Sequence, residues 1–385
     1  MKPMHASSSL ARVSRCLAFA GVLALCSCLL SACSALVPGA ITKSSQAELN
    51  LKVSLAQIAD AVDLTDSAGY ALRVHSKGKL LFARDVGLAS SSLEIPIDGQ
   101  TIFELASVSK SFTALAVMQL QEKGLIDLGR SLSFYLPELP LAWGEISVHH
   151  ALSHQSGLPD WINQWPRSRL NRLDFSGLMQ QLTAQPQLDF DPGSQAAYSN
   201  INYMLLAQLV EVVSGQPFAQ YLKTHVFEPA GMTSSSVLRF EPDQVMQQAL
   251  SYADDVKIHG IDYALNGAIS QKSSMEDMEN FVQALLDERL IQSETLDLMM
   301  MPHARFADGK RYGYGWYIGQ LGGWMALSLT APAAGVGHTG RLGAYRTALY
   351  FNRQRNFQFI MLSNGGALTE KLLSDFLKAS RDVLE

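Results

Sequence analysis

Ser107 and Lys110 stand one helical turn apart, and together they are the pair in this sequence best suited to nucleophilic catalysis. A serine hydroxyl is a weak nucleophile until an adjacent base takes its proton. Lysine is such a base only when neutral, and at its ordinary pKa about one side chain in two thousand is neutral at pH 7. A site that uses the pair must therefore depress the lysine by roughly three units, a bias of about 4 kcal/mol that burial supplies. A helix N-terminus at the serine adds positive potential and a backbone N–H for a developing oxyanion. The spacing alone carries little information, since a second Ser-x-x-Lys runs from Ser76 to Lys79. The bland alternative for either copy is a helix N-cap serine beside a solvated lysine.

The elements around the two copies separate them. From Ser107 onward Phe112, Leu115, Ala116, Val117 and Leu120 recur at helical spacing, and Lys123-Gly124 marks a helix end. This helix reads as central and buried, with Lys110 about 5 to 6 Å from Ser107 between Cβ atoms. Ser76 instead lies in the turn Ser76-Lys77-Gly78 between strand-like Gly69 to Val74 and Lys79 to Leu88. A first helix is predicted from Leu51, Leu55, Ile58, Ala59 and Val62, and further helices over Ile201 to Val213 and Met275 to Leu286. Tyr345 to Phe351 and Phe357 to Ser363 form a second hairpin, and Leu368 to Leu384 a closing helix. Strands at both ends with helices between them predict an α/β (α+β) fold, an antiparallel sheet flanked by helices plus an all-helical subdomain. The expected α/β part covers about 49–115 and 300–385, and the helical insertion about 116–299.

Two further clusters complete an ordered pattern. Tyr198-Ser199-Asn200 follows the loop Asp191-Pro192-Gly193-Ser194 directly before an apolar helix, and His338-Thr339-Gly340 lies in a Gly-rich stretch leading to the last hairpin. Ser-x-x-Lys, then Tyr-x-Asn, then Lys- or His-x-Gly resembles the signature of serine β-lactamases and penicillin-binding proteins. The resemblance is to the class C β-lactamase-like branch, which includes DD-peptidases, D-aminopeptidases and esterases. Phe103 to Thr113 looks like that family's active-serine segment, and Leu152 to Leu158 like its His-x-Ser-Gly-Leu loop. Gly231-Met232-Thr233, Tyr314-Gly315-Trp316 and Ser363-Asn364-Gly365 fit further landmarks, so the likeness runs from about 65 to 365. A second Tyr-x-Asn, Tyr350 to Asn352, falls in the wrong order. The resemblance implies that Ser107 forms an acyl-enzyme and that Lys110 takes its proton, shared with Tyr198, whose phenol also protonates the leaving group. Asn200 would bond the substrate's amide, and the N–H groups of Ser107 and Arg341 would form the oxyanion hole. His338 stands where the commonest β-lactamases carry lysine, and imidazole holds a carboxylate less firmly than a permanent ammonium. Arg341 is a candidate for the missing charge, against the alternative of a solvated side chain.

No metal or cofactor is implied. His149, His150 and His154 lack a zincin glutamate and are read as loop histidines bonded to backbone. There is no Gly-x-Ser-x-Gly elbow. Trp143, Trp161, Trp165 and Trp316 either line the cleft or, more commonly for aromatic residues, pack. With 385 residues, 48% hydrophobic, 17% charged and a net charge of −5, the chain reads as globular and not as a nucleic-acid binder. A small-molecule or peptide substrate is expected, possibly peptidoglycan-derived. Lys2, Arg12 and Arg15 before the apolar run Cys16 to Leu30 read as a signal peptide over 1–32. Leu30-Ser31-Ala32-Cys33 resembles a lipobox, which implies a lipid on Cys33, a tether over 33–48 and a cell-envelope location facing the periplasm, the outer membrane more than the inner. An ordinary signal cleavage near Ser31-Ala32-Cys33 is the alternative. The four cysteines, Cys16, Cys26, Cys28 and Cys33, leave no internal disulfide in the body. The rival reading of another class is a non-catalytic envelope lipoprotein that binds peptidoglycan or a protein partner.

Overall fold

The computed structural model describes residues 43–62, 64, 68–160, 175–237, 248–250, 252–253, 256–257, 266–319 and 335–380. The expected signal peptide, Cys33, Trp161 and Trp165 lie outside them. The chain divides into a unit of residues 1–49 and a unit of residues 50–385.

Helix α1 (Lys43–Asp60) buries Leu51, Leu55 and Ala59 along one stripe. It begins earlier than the apolar spacing suggested, so 43–48, expected as tether, is helical. That stretch has few apolar residues to reveal a period, but Ala47, Glu48 and Leu49 are good helix formers. Strands β1 (Tyr70–Ser76) and β2 (Lys79–Val86) form the first hairpin. Its tip residues Lys77 and Gly78 both have positive φ, 52° and 73°, as a two-residue turn requires. Ser76 and Lys79 face each other across that turn with Lys79 exposed, so this copy of Ser-x-x-Lys has no pocket. After the short strand β3 (Ile102–Glu104), helix α2 (Ser109–Glu122) is buried on every residue from Ser109 to Leu120, which makes it the central helix.

Helices α3 (Val148–Leu152) and α4 (Asn200–Ser214) follow, α4 packing against α2 and ending at Gly215 in the left-handed region. Within the insertion, strands β4 (Ser236–Val237) and β5 (Gln271–Ser274) pair with β3 in the order β3-β5-β4, residues 252–253 and 256–257 form a separate short antiparallel pair, and α5 (Met275–Leu286) is capped by Ser274. The chain returns through β6 (Ala304–Arg305), β7 (Arg311–Tyr312), β8 (Tyr317–Ile318), β9 (Gly335–Leu342), β10 (Tyr345–Asn352) and β11 (Phe357–Ser363) to α6 (Gly366–Ala379).

The main sheet is antiparallel in the order β6-β7-β8-β9-β10-β11-β1-β2, so the two termini build it together. Every residue of β10 and β11 is buried, as expected when both faces are covered. Leu349, Phe351, Ile360 and Leu362 join the α2 and α4 core on one face. Ala348, Tyr350, Phe359 and Met361 pack with α1 and α6 on the other. The alternation is the ordinary period of two.

Candidate active site

Between Thr101 and Leu120 every residue is buried except Ser107, which is half-buried. It sits in a short 3-10 turn, Ala106–Val108, ahead of α2, and the preceding Ala106 is held at φ +49°. No side-chain cap bond is made at the start of either the turn or α2, so Ser107 does not act as a helix cap. Lys110 is completely buried, and its Nζ lies 3.4 Å from Ser107 Oγ, 2.7 Å from Asn200 Oδ1 and 2.9 Å from the Ala268 carbonyl. It also lies 4.9 Å from the ring centre of Tyr198. Burial pulls the Lys110 pKa down to about 7, against an opposing pull from the Asp160 carboxylate.

These contacts specify more than proximity. Asn200 Oδ1 and the Ala268 carbonyl only accept hydrogen bonds, so each takes an N–H of Lys110. A neutral amine has two N–H bonds and one lone pair. The lone pair is therefore what remains for Ser107 Oγ.

The Tyr198 ring lies beside the Lys110 amine, and burial raises its pKa well above the ordinary phenol value. It is thus a neutral phenol that can give or relay a proton. The His154 ring stacks on it at 4.4 Å and 29°. His154 Nδ1 accepts from the Ser199 backbone N–H at 3.2 Å, so its proton sits on Nε2. This backbone contact is the role expected of the loop histidines, but of the three only His154 is in a loop, since His149 and His150 lie in α3. His149 bonds the Tyr314 hydroxyl at 2.7 Å, His150 closes a capping box with Ser147, and the described residues include no group of three or more ligands placed to hold a metal.

His338 is fully buried, and its Nδ1 donates to the Thr339 carbonyl at 2.8 Å. Nε2 is consequently a bare acceptor, and it has no partner among the described residues. Burial, helped by Lys110, lowers its pKa to about 3, so position 338 carries no charge. Strand β9 runs past the serine turn because residue 340 has no side chain: a Cβ there would lie 2.2 Å from the Leu105 carbonyl oxygen. β8 pairs with β9 only at Val336 and Gly337, which leaves 338–342 without a strand on that side among the described residues. Arg341 is exposed and pairs in register with Arg346, whose guanidinium bonds Glu370 of α6. Its side chain thus leaves the strand on the face opposite that of Gly340 and His338.

Asn200 departs from the sequence expectation. Its Nδ2 donates to Asp160 Oδ1 and Oδ2 at 3.3 and 3.2 Å while its Oδ1 is taken by Lys110, so both ends of the amide are engaged within the protein. Sequence reasoning missed Asp160 and the Ala268 carbonyl. The signal for Asp160 was present in Ser156-Gly157-Leu158-Pro159-Asp160, an extension of the recognised loop. A backbone carbonyl leaves no signal. Trp143 is a packing residue, buried with its indole N–H on the Pro186 carbonyl, and Trp316 packs on Phe351.

Residues 56–379 match the family model described as Beta-lactamase. The chain is 28% identical over 331 residues to Penicillin-binding protein 4* of Bacillus subtilis, covering 80% of this chain and 70% of that protein. It is 26% identical over 330 residues to Esterase EstB of Burkholderia gladioli, covering 74% and 83%. The structure of D-amino acid amidase from Ochrobactrum anthropi SV3 complexed with D-phenylalanine aligns with a TM-score of 0.71 at 21% identity, covering 88% of this chain and 100% of that one.

Proposed function

The chain belongs to the beta-lactamase family of serine hydrolases, and on that premise we propose that it cleaves an ester or amide through an acyl-enzyme on Ser107. The observation that carries this reading is the Lys110 environment: two obligatory acceptors occupy its N–H bonds and direct its lone pair to Ser107 Oγ. As Oγ bonds to the substrate carbonyl carbon, the Ser107 proton passes to Lys110 Nζ. The carbonyl oxygen gains charge opposite the N–H groups of Ser107 and Arg341. When the tetrahedral intermediate collapses, the leaving alkoxide or amine takes a proton from Lys110 by way of Tyr198, which restores both groups. Water then attacks the ester on Ser107 by the same route, releasing the acid.

Intact mass after incubation with a fluorescent penicillin and with a p-nitrophenyl ester tests the nucleophile. A mass increase or turnover is expected with the wild type and neither with Ser107→Ala. If no compound across a panel of β-lactams, esters and D-amino-acid amides gives a Ser107-dependent product, the chain is a binding protein that keeps the fold.

The substrate class follows from His338. A neutral imidazole with a bare Nε2 holds no carboxylate by charge, which favours esters and amides whose acyl or leaving portion has no free carboxylate beside the reacting bond. The named activity of one relative, an esterase, supports this choice. Introducing a cation there should shift the preference. His338→Lys is expected to raise the acylation rate by benzylpenicillin relative to an uncharged p-nitrophenyl ester by about tenfold or more, the worth of one charge-assisted hydrogen bond. An unchanged ratio would show that position 338 does not read the carboxylate.

A further inference from the structure

The Asn200 amide has two chemically different ends, and which of them meets Lys110 decides whether Lys110 can act as a base. With Oδ1 toward Lys110, an N–H of the amine is consumed and the lone pair stays available for Ser107. With the amide reversed, Nδ2 donates to the lysine lone pair, and Lys110 presents only N–H to Ser107 Oγ. The chain needs a device that discriminates between the two. Asp160 is that device by geometry, because a carboxylate has no donor and both its oxygens face Asn200 Nδ2, at 3.3 and 3.2 Å. We propose that Asp160 is a positioning residue for the nucleophile, acting through the Asn200 amide to reserve the Lys110 lone pair for Ser107.

The carboxylate is well anchored for this task. Gly157 turns at φ +77° with no room for a Cβ, which would lie 2.0 Å from the Phe190 carbonyl oxygen. Leu158 N–H bonds Ser156 Oγ at 3.1 Å and the Asp189 N–H bonds the Gly157 carbonyl at 2.8 Å, fixing the loop that presents Asp160. Asp160 Oδ1 also accepts from the backbone N–H of Asn200 at 3.2 Å, at the first turn of α4. A capping role for α4 is the competing explanation, and it is separable, since an asparagine at 160 keeps an oxygen for that backbone N–H. Its own NH2 group, however, opposes Asn200 Nδ2 and turns the amide over.

The test rests on Ser107 being the nucleophile, so Ser107→Ala is measured alongside with p-nitrophenyl acetate as the probe. Asp160→Asn is expected to lower kcat/KM by about thirtyfold or more, within the span of general-base effects, with thermal unfolding little changed. The exchanged pair Asp160→Asn with Asn200→Asp restores an oxygen toward Lys110 and a donor toward residue 200. It is expected to recover at least about tenfold of the loss, with its acid limb displaced to higher pH because a carboxylate now touches Lys110. Asp160→Asn within about threefold of wild type, or an exchanged pair no faster than Asp160→Asn anywhere between about pH 7 and 10, overturns the proposal. So does a lower melting temperature in Asp160→Asn with kcat/KM and its pH profile unchanged, which is the signature of a cap. Should Asp160→Asn not fold, the folded exchanged pair decides alone: activity with a raised acid limb supports the proposal, and no activity overturns it. If Ser107→Ala itself retains wild-type turnover, the nucleophile assignment fails, an outcome distinct from any of these.

Discussion

Lys110→Met should lower kcat/KM by about 10³- to 10⁴-fold, at the upper end of what a positioned general base contributes. Methionine nearly matches the lysine stem in volume, so the surrounding core of α2 and α4 is kept while the lone pair is lost. The wild type should show a pH dependence that the variant lacks. Only neutral Lys110 accepts the Ser107 proton, and its pKa is brought down to about 7 by burial. Activity should therefore be half-maximal near that pH and fall about tenfold for each unit below it. Stability carries the same signature. Because the folded pKa lies below the unfolded one, the unfolded chain binds the extra proton between about pH 7 and 10.5. The wild type should gain stability as pH rises through that window and lose it as pH falls back through it. Lys110→Met should lack that slope, so that it compares best with the wild type below pH 7 and progressively worse toward pH 10. Denaturant unfolding at both ends, with kcat/KM across the range, checks the prediction. A variant within tenfold of wild type, or a wild-type profile with no limb near 7, would remove Lys110 from the role of base.

The parts of this site that were legible in the sequence are those fixed to strongly periodic elements. Ser107 and Lys110 are three residues apart at the head of a helix whose apolar run marks it as central, and Tyr198 and Asn200 bracket the start of another. The need for a depressed lysine follows from solution chemistry, and complete burial meets it. What escaped is set by tertiary contact. Asp160 is one aspartate after a proline until the Gly157 turn brings it to Asn200. The Ala268 carbonyl belongs to a residue whose side chain does nothing at the site. The orientation of the Asn200 amide depends on both. The face of Arg341 follows from its register opposite Arg346, which an Arg after a Gly does not reveal. Strands β6, β7 and β8 have two residues each and so cannot display a period of two. Helix α1 began before its apolar stripe did, and there only helix propensity marked it.

Gly340→Ala should cost about 10²- to 10³-fold in acylation, the penalty for losing or misplacing an oxyanion donor by about 1 Å. The added methyl would stand 2.2 Å from both the Leu105 carbonyl oxygen and Thr347 Oγ1, and 3.0 Å from Ala106 Cβ. None of these neighbours is the free end of a flexible side chain. Thr347 Oγ1 donates to the Leu105 carbonyl at 2.8 Å, and the Leu105 N–H is tied to the Gln271 carbonyl at 2.8 Å. Either β9 must move off the serine turn or the turn must move with Ser107 on it, and both changes separate the N–H groups of Ser107 and Arg341. Overpacking of this kind also costs about 1–3 kcal/mol of stability. Gly215→Ala is the matched control: its φ of +70° strains an alanine, but nothing lies within 4 Å of the new Cβ, and it ends α4. That variant should lose about 1 kcal/mol of stability and keep its acylation rate. Burst-phase acylation by a p-nitrophenyl ester, compared between the two alanine variants, separates lost stability from a displaced donor. If Gly340→Ala acylates as fast as Gly215→Ala, the oxyanion is not held by β9, and the backbone of Arg341 has no part in the reaction.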